Sequence, residues 1–266
     1  MARWGFIGLG SQGGPMAQRM IETDNEVWLW ARRAESLALY KNTDACFATT
    51  IKQLGQAVEH CGVCVVDDAG VDEVCRQLIP AMKPGSSIAI HSTVNPMLCQ
   101  HLAEQAKEQG VLLVDAPVSG GGEAAADGTL TVMMGGEQAA VDLVTPVLRC
   151  FAGLVVHLGE VGSGQLAKLV NNNLMAANLA LANHALSVAE ALNLKQEAFS
   201  NLVKVSSGRS FAFDVRARMP NPQAFHHGAQ LLAKDVRLLA TAAGDNADYQ
   251  AIKQTADAFL EQALQQ

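Results

Sequence analysis

The chain has no excess of basic residues and contains few aromatic side chains. Its 266 residues carry a formal net charge of -7, and only 5% of them are Phe, Trp or Tyr. Proteins that bind nucleic acid usually present a basic stripe to the phosphate backbone. We therefore do not expect a nucleic-acid partner.

The sequence also lacks long apolar runs. No run approaches the roughly 20 apolar residues that a helix needs to cross a bilayer. The N-terminus likewise has no basic stretch followed by an apolar segment and a small-residue cleavage site. We expect no membrane partner and a cytoplasmic location.

Cysteine does not occur after residue 150. The six cysteines are Cys46, Cys61, Cys64, Cys75, Cys99 and Cys150. This scatter does not resemble a disulfide framework and fits a reducing compartment. Cys61 and Cys64 have CxxC spacing, but they lead into an apolar run, and no second pair completes a metal site. We interpret them as part of a buried strand and expect no bound metal.

Segments typical of strands and helices alternate up to about residue 160. Such alternation predicts βαβ units on a parallel sheet. Strands are predicted at 3–10, 26–31, 62–68, 86–92 and 111–118, and helices at 14–23, 33–42, 71–82 and 95–110. Two more strands, at 128–136 and 152–159, are expected to continue the same sheet.

From about Val161 the pattern is helical throughout. Residues 164–194 contain no proline, no glycine after Gly164 and apolar residues at helical spacing, which predicts one long, mostly buried helix. The predicted fold is a Rossmann-type α/β parallel-sheet domain over residues 1–162, followed by an all-α domain over residues 163–266. The second domain is expected to bind substrate and to support oligomerisation.

A glycine motif lies between the first predicted strand and the first predicted helix. Gly8, Gly10 and Gly13 form the pattern GxGxxG, and Pro15 follows in the first helical turn. In a dinucleotide-binding turn, these glycines allow a tight turn, close approach of the pyrophosphate and close packing of helix on strand. The helix N-terminus then offers N–H donors to the phosphates. This context favours nucleotide binding over a purely structural turn.

The end of the second predicted strand indicates which dinucleotide binds. A carboxylate there accepts a hydrogen bond from the ribose 2′-OH of NAD, whereas arginine accommodates the 2′-phosphate of NADP. This chain has Arg32 and Arg33, with no carboxylate before Glu35. We expect NADP as the cofactor. In the alternative interpretation, the two arginines are only exposed at a helix start.

Five segments, in order, resemble the β-hydroxyacid dehydrogenase family. They are FIGLGSQGGPMA, HSTVNP, DAPVSGGGEAAADGTLTVMMGG, GSGQLAKLVNNN and LLAKDVRLL, and they span almost the whole chain. This family includes 3-hydroxyisobutyrate dehydrogenases, tartronate semialdehyde reductases and reductases of glyoxylate or succinic semialdehyde. The resemblance implies hydride transfer between a nicotinamide cofactor and a small hydroxy acid, with the active site in the cleft between the two domains.

Lys168 and Asn172 lie four residues apart on the long predicted helix, which places them on one face. An ammonium group in a cleft can protonate a carbonyl oxygen as hydride arrives, or its neutral form can accept the alcohol proton in reverse. From the residues alone, a lysine that extends into solvent is the simpler interpretation. The resemblance implies instead that Lys168 is the catalytic lysine and that Asn172 helps to hold it and the substrate.

The turn at residues 118–121 and Thr93 acquire roles from the same resemblance. Ser119, Gly120 and Gly121 would bind the substrate carboxylate, in a turn whose N–H groups suit an anion. Thr93, at a strand end, would lie close to the nicotinamide and the substrate. Without the resemblance, these are an ordinary glycine turn and a threonine bonded to nearby backbone.

Lys234 would contact the cofactor by resemblance, while Asp235 is expected to be structural. From the residues alone, the two form only surface charge or a weak ion pair. The full set of predicted cofactor contacts is Gly8, Leu9, Gly10, Ser11, Gln12, Gly13, Arg32, Arg33, Thr93 and Lys234.

Two parts of the chain depart from the family pattern. Gln12 stands where relatives usually have methionine, and Asp67 and Asp68 stand where many have a Met-Leu-Pro-like sequence. The two carboxylates would either bind ribose hydroxyls or point elsewhere.

Residues 206–228 contain the cationic or titratable side chains Arg209, Arg216, Arg218, His226 and His227. These would either receive a doubly charged acid, such as a sulfonate or phosphonate, or stand exposed in solvent.

The expected activity is therefore NADP-dependent interconversion of a small hydroxy acid and its carbonyl form. One alternative is reduction of a cyclic imine by a relative of this fold, which the presence of Lys168 disfavours. Another is a sensor that binds NADP without turnover, which the complete catalytic set disfavours. The apolar character of residues 174–192 on more than one face predicts a homo-dimer or homo-tetramer.

Overall fold

The computed structural model describes residues 2–265, which form two compact units, one ending at Lys168 and the other beginning at Leu169. The first unit contains the parallel strands β1 (Arg3–Ile7), β2 (Glu26–Trp30), β3 (Cys46–Phe47), β4 (His60–Val63), β5 (Ser87–Ile90) and β6 (Leu112–Asp115). Their order in the sheet is β3-β2-β1-β4-β5-β6. This is the doubly wound order of dinucleotide-binding sheets, so the predicted fold class is confirmed.

Six α-helices connect these strands and the elements that follow them. They are α1 (Gly13–Ile21), α2 (Ile51–Ala57), α3 (Asp68–Leu78), α4 (Pro96–Glu108), α5 (Gly121–Ala126) and α6 (Gln138–Leu148). The helix predicted at 33–42 is a 3-10 helix, Ala34–Tyr40, and a second 3-10 turn spans Ile79–Ala81.

The expectation that the last two strands continue the main sheet is wrong. Strands β7 (Val118–Ser119), β8 (Leu130–Met134) and β9 (Ala152–His157) form a separate sheet, in which β7 and β8 are antiparallel and β8 and β9 parallel. An isolated antiparallel bridge between Asp115 and Gly135 joins β6 to this region. Pro117 follows and has no N–H with which to extend a ladder.

The core of the first unit lies on both faces of the parallel sheet. Successive side chains of a strand point to opposite faces, so Phe6 packs with Met16 and Leu29 on one side while Ile7 packs on the other. Of the two cysteines that were interpreted as part of a buried strand, Cys61 lies in β4 and is fully buried. Cys64 follows the end of β4 and is half-buried, so the interpretation is wrong for Cys64.

The second unit is entirely helical within the described residues. Its α-helices are α7 (Ser163–Ala191), which begins in the first unit, α8 (Gln196–Lys204), α9 (Phe211–Ala217), α10 (His226–Ala243) and α11 (Ala247–Leu264), with a 3-10 turn at Pro222–Phe225. The predicted long helix is confirmed as α7, although one side of it is exposed. No helix within residues 2–265 has the length and apolarity needed to cross a membrane.

Candidate active site

The loop between β1 and α1 fits a dinucleotide phosphate. Gly8 has φ of 100°, and a Cβ there would lie 2.0 Å from the backbone oxygen of Cys64. A Cβ at Gly13 would lie 2.0 Å from the oxygen of Gly8, so both positions require glycine. A Cβ at Gly10 would meet no heavy atom within 4 Å. Space therefore stays open where the second glycine of the motif admits a pyrophosphate.

The position of this loop in the sheet matches a nucleotide site. β1 and β4 are neighbours at the point where the chain reverses its direction of progress across the sheet. Ligands of open α/β sheets bind at this switch point, outside the carboxyl ends of the strands. The N-terminus of α1 lies directly after the loop and presents backbone donors there.

Arg32 and Arg33 follow the end of β2, and both are exposed. Arg32 Nη2 lies 2.8 Å from Glu73 Oε2 in an ion pair whose two side chains are 68% and 59% exposed. Such an exposed pair contributes little to stability. The guanidinium of Arg32 is thus held only weakly at the end of β2.

Asp67 and Asp68, which depart from the family pattern, each bind a backbone N–H. Asp67 is the N-cap of α3, because its Oδ1 accepts a hydrogen bond from Gly70 N at 2.9 Å. Asp68 Oδ2 accepts one from Asn95 N at 3.1 Å. Each carboxylate therefore uses one oxygen on nearby backbone.

The turn after β7 packs directly on the glycine loop. Gly120 and Gly121 have φ of 133° and 75°, conformations that favour glycine. A Cβ at Gly122 would lie 2.6 Å from the backbone oxygen of Ser11, and Gln12 Nε2 donates to Gly121 O at 3.3 Å. The structure therefore brings the predicted substrate turn and the predicted cofactor loop into contact, with the unusual Gln12 between them.

The start of α7 is anchored by a buried carboxylate that the sequence analysis missed. Asp115 Oδ1 accepts a hydrogen bond from Gly162 N and its Oδ2 accepts one from Gln165 N, each at 2.7 Å. Burial raises the pKa of this carboxyl from its ordinary 3.8 to about 6, against the lowering effect of these N–H donors. The contacts join residues 47 and 50 positions apart, so no local sequence signal reveals them.

Lys168 lies one turn further along α7 and is only 9% exposed. The alternative of a lysine that extends into solvent is therefore wrong. Asn172, four residues later in the same helix, is half-buried. Thr93, after β5, is also half-buried, and the hydroxyl of its neighbour Ser92 accepts a hydrogen bond from Val65 N at 2.8 Å.

In the second unit, Asp235 connects two of the predicted site residues. Its Oδ2 accepts a hydrogen bond from Asn172 Nδ2 at 2.6 Å, and its Oδ1 lies 3.3 Å from Lys234 Nζ. The carboxylate is 5% exposed. Asp235 therefore joins α10 to Asn172 of α7, a contact that its position beside Lys234 in the sequence does not reveal.

The cationic residues of the segment 206–228 do not act as one group. Arg216 is buried, and it donates from Nε to Asn183 Oδ1 and from Nη1 to Met219 O, each at 2.9 Å. Arg209, Arg218 and His227 are exposed. The alternative in which these side chains receive a doubly charged acid is not supported at Arg216, because its donors bind the protein itself. Within residues 2–265, no three potential ligands of the His, Cys, Asp or Glu type are grouped to hold a metal ion.

Two family models match the chain and together span nearly all of it. Residues 3–159 match the model described as the NAD binding domain of 6-phosphogluconate dehydrogenase. Residues 162–266 match the model described as NAD-binding of NADP-dependent 3-hydroxyisobutyrate dehydrogenase.

Individual proteins give the same result. An uncharacterized oxidoreductase of Mycobacterium tuberculosis is 37% identical over 207 residues, which cover 77% of this chain and 70% of the relative. The 2-(hydroxymethyl)glutarate dehydrogenase of Eubacterium barkeri is 33% identical over 218 residues, 80% of this chain and 71% of the relative. A solved structure of Mycobacterium tuberculosis 3-hydroxyisobutyrate dehydrogenase with L-serine shares the fold. Its TM-score is 0.87 at 23% identity, over 98% of this chain and 93% of that chain.

The fold, the glycine loop and these matches together identify an NAD(P)-dependent dehydrogenase. More particularly, the chain belongs to the β-hydroxyacid dehydrogenase family, as its five ordered motifs predicted. Its activity is that of an NAD(P)-dependent hydroxyacid dehydrogenase.

Proposed function

We propose that this protein transfers hydride between NADP(H) and a small hydroxy acid or its carbonyl form, with Lys168 as the general acid and base. The burial of Lys168 carries the proposal, because a lysine that is 9% exposed on a helix anchored to the dinucleotide-binding unit is placed for chemistry rather than for solubility. Buried ionisable groups are costly and concentrate at functional sites.

The preference for NADP rests on the end of β2. Arg32 and Arg33 supply two cations there, and the next carboxylate is Glu35. A 2′-phosphate gains charge-assisted hydrogen bonds from guanidinium groups. Because the exposed ion pair with Glu73 is weak, breaking it so that Arg32 can bind the phosphate costs little free energy. The description of the second matching family model, which names an NADP-dependent enzyme, agrees with this assignment.

The substrate proposed is a small acid held at the turn after β7. Ser119, Gly120 and Gly121 would receive its anionic group, next to the glycine loop that would hold the cofactor. Asn172 and Lys234 keep the roles implied by the family, in contact with substrate and cofactor. Relatives that act on 2-(hydroxymethyl)glutarate and 3-hydroxyisobutyrate by name support a carboxylate as the anion.

The residues of the chain would perform the proton transfer and the positioning. A bound nicotinamide supplies or accepts the hydride. In reduction, the ammonium of Lys168 gives a proton to the carbonyl oxygen while the carbonyl carbon receives the hydride, so that an alcohol forms and Lys168 becomes neutral. In oxidation, neutral Lys168 accepts the hydroxyl proton. The turn at Ser119 fixes the anion and so orients the reacting carbon.

A spectrophotometric screen tests this function. NADPH and NADH are run in parallel against glyoxylate, succinic semialdehyde, tartronate semialdehyde and their sulfonate and phosphonate analogues. The corresponding alcohols, including 3-hydroxyisobutyrate and 2-(hydroxymethyl)glutarate, are run with the oxidised cofactors, and cyclic imines form a separate set. Turnover of an acid with a preference for NADPH supports the proposal. Turnover of imines alone, or tight NADPH binding with no reaction, contradicts it.

A further inference from the structure

We infer that Gln165 is a positioning residue for the reaction: its side-chain amide holds the backbone on both sides of Thr93 against the first turn of the helix that carries Lys168. This inference rests on the proposed function, which gives Thr93 and Lys168 their chemical roles. All of these residues belong to the first unit.

The amide of Gln165 uses both of its polar atoms on one short stretch of backbone. Its Oε1 accepts a hydrogen bond from Val94 N at 3.0 Å, and its Nε2 donates to Ser92 O at 2.8 Å. The side chain is 0% exposed. We call these two hydrogen bonds the clamp, and we call residues 92–94 the Thr93 segment. Because the clamp holds the residues on both sides of Thr93, it fixes the orientation of the Thr93 segment as well as its distance from α7.

Both partners of this clamp are themselves anchored. The backbone N–H of Gln165 donates to Asp115, which also binds Gly162 N, so the start of α7 cannot shift along its axis without breaking these bonds. On the other side, the Ser92 hydroxyl accepts from Val65 N at 2.8 Å, which ties the Thr93 segment to the end of β4. Gln165 therefore connects two fixed elements.

Because Gln165 lies in α7, the clamp sets the position of the Thr93 segment relative to Lys168. Residues three apart in a helix are neighbours on its surface, so the residue that holds the Thr93 segment lies one turn from Lys168. Misplacement of reacting groups by about 1 Å can reduce a rate by roughly 100-fold. Loss of the clamp is expected to alter the distance between the Thr93 segment and Lys168 while every group that touches the reactants stays present.

The first test compares two glutamine substitutions in the full-length protein. Gln165→Met keeps the length of the side chain and removes both hydrogen bonds, and we expect kcat to fall by about 10- to 100-fold. Gln100→Met is the control, because the Gln100 amide donates its hydrogen bond to Val161 O, at 3.1 Å and just before α7, rather than to Ser92 O. Its kcat is expected to change by less than about threefold. Equal effects of the two substitutions overturn the inference.

A double-mutant cycle shows whether Gln165 acts through Thr93. In a Thr93→Ala background, Gln165→Met is expected to lower kcat by less than about threefold further, because the group that it positions is gone. A purely structural role predicts the same loss in both backgrounds, and that result overturns the inference.

Gln165→Glu is a second variant, and its side chain has the same shape as glutamine. Protonation of this carboxyl at low pH is expected to restore the two hydrogen bonds and so rescue kcat. A protonated carboxyl can donate to Ser92 O and accept from Val94 N as the amide does, whereas the carboxylate can only accept. Burial raises the pKa of such a group. We therefore expect the ratio of its kcat to that of the wild type to rise as pH falls, and a ratio independent of pH overturns the inference.

Hydrogen exchange separates the clamp from the proposed function. The amide of Val94 is expected to exchange faster in Gln165→Met than in the wild type, and at the wild-type rate in Gln100→Met. Unchanged exchange in Gln165→Met overturns the clamp. If the wild type reacts with no acid in the screen but the exchange result is as expected, the proposed function fails and the clamp stands.

Discussion

The three glycines of the β1–α1 loop serve two different purposes. At Gly8 and Gly13 a side chain would collide with backbone oxygens, each 2.0 Å from the position of a Cβ. At Gly10 a Cβ would meet nothing within 4 Å, so glycine there keeps space for a ligand. Packing requires the first and third glycines, and we propose that cofactor binding requires the second.

Alanine substitutions separate these purposes. Gly13→Ala is expected to destabilise the protein by about 1 to 3 kcal/mol, because backbone must move to relieve the contact, and to weaken NADPH binding as well. Gly10→Ala is expected to keep the thermal midpoint of the wild type while weakening NADPH binding. Thermal unfolding and fluorescence titration with NADPH measure both quantities. A Gly10→Ala protein that binds NADPH as the wild type does would contradict this interpretation.

At the same scale, local patterns in the sequence revealed only part of the site. Gly8 and Gly13 were evident from their spacing, and the structure gives the steric reason for both. Asp115 and Gln165 were missed because their partners lie far away in the sequence, up to 73 residues for Gln165 and Ser92. Arg216 appeared as one cation among several, and only the folded chain shows that its donors bind Asn183 and Met219.

One helix carries an apolar face that the described residues leave uncovered. On α7, Leu174, Leu181 and Val188 are 51%, 58% and 57% exposed. They recur every seven residues, which places them along one side of the helix. This stripe supports the expectation of a homo-oligomer, because a second copy of the chain would remove it from water.

A charge placed in the middle of the stripe tests that expectation. Leu181→Glu is expected to shift the protein from dimer or tetramer to monomer in sedimentation velocity at micromolar concentration, since a buried unpaired carboxylate is costly. Val205→Glu is the control, because Val205 is 80% exposed and lies outside the stripe. Sedimentation of the wild type as a monomer would contradict the expectation.

At the scale of elements, the order along the chain was predictable and some of the pairings were not. Alternating helices and strands predicted the parallel sheet. The strands at Leu130–Met134 and Ala152–His157 were also predicted, but which strand each of them pairs with could not be predicted from their sequences. The bridge at Asp115 joins the end of β6 to the second sheet, and Pro117, which has no N–H, lies between β6 and β7.

The stability of the whole molecule is expected to depend on pH through two buried histidines. Burial lowers the pKa of His60 from 6.5 to about 3, and that of His91 from 6.5 to about 4. Both stay neutral in the folded protein, where His60 Nδ1 lies 2.9 Å from Ser87 Oγ. The unfolded chain takes up these two protons below pH 6.5, so the free energy of unfolding falls as pH falls from there.

Asp115 changes the free energy of unfolding with pH in the opposite direction to the two histidines. Its folded carboxyl binds a proton below about pH 6, whereas the unfolded one does so only near 3.8, so this group favours the folded protein as pH falls. The histidines take up two protons on unfolding and Asp115 releases one. These three groups therefore leave a net uptake of about one proton on unfolding, so the free energy of unfolding still falls as pH falls through pH 5.

Denaturant unfolding as a function of pH measures this balance. His60→Asn is expected to reduce the loss of stability between about pH 6.5 and 4.5. The matched control, His101→Asn, replaces an exposed histidine and should retain the wild-type pH dependence. A pH profile that is the same in all three proteins would contradict the assignment.

The most direct measurement compares turnover and cofactor binding in Lys168→Ala. If Lys168 is the general acid and base, kcat should fall by about 100-fold or more, while the dissociation constant for NADPH stays within about threefold of the wild-type value. A variant that binds NADPH normally and still turns over at close to the wild-type rate would contradict the central claim.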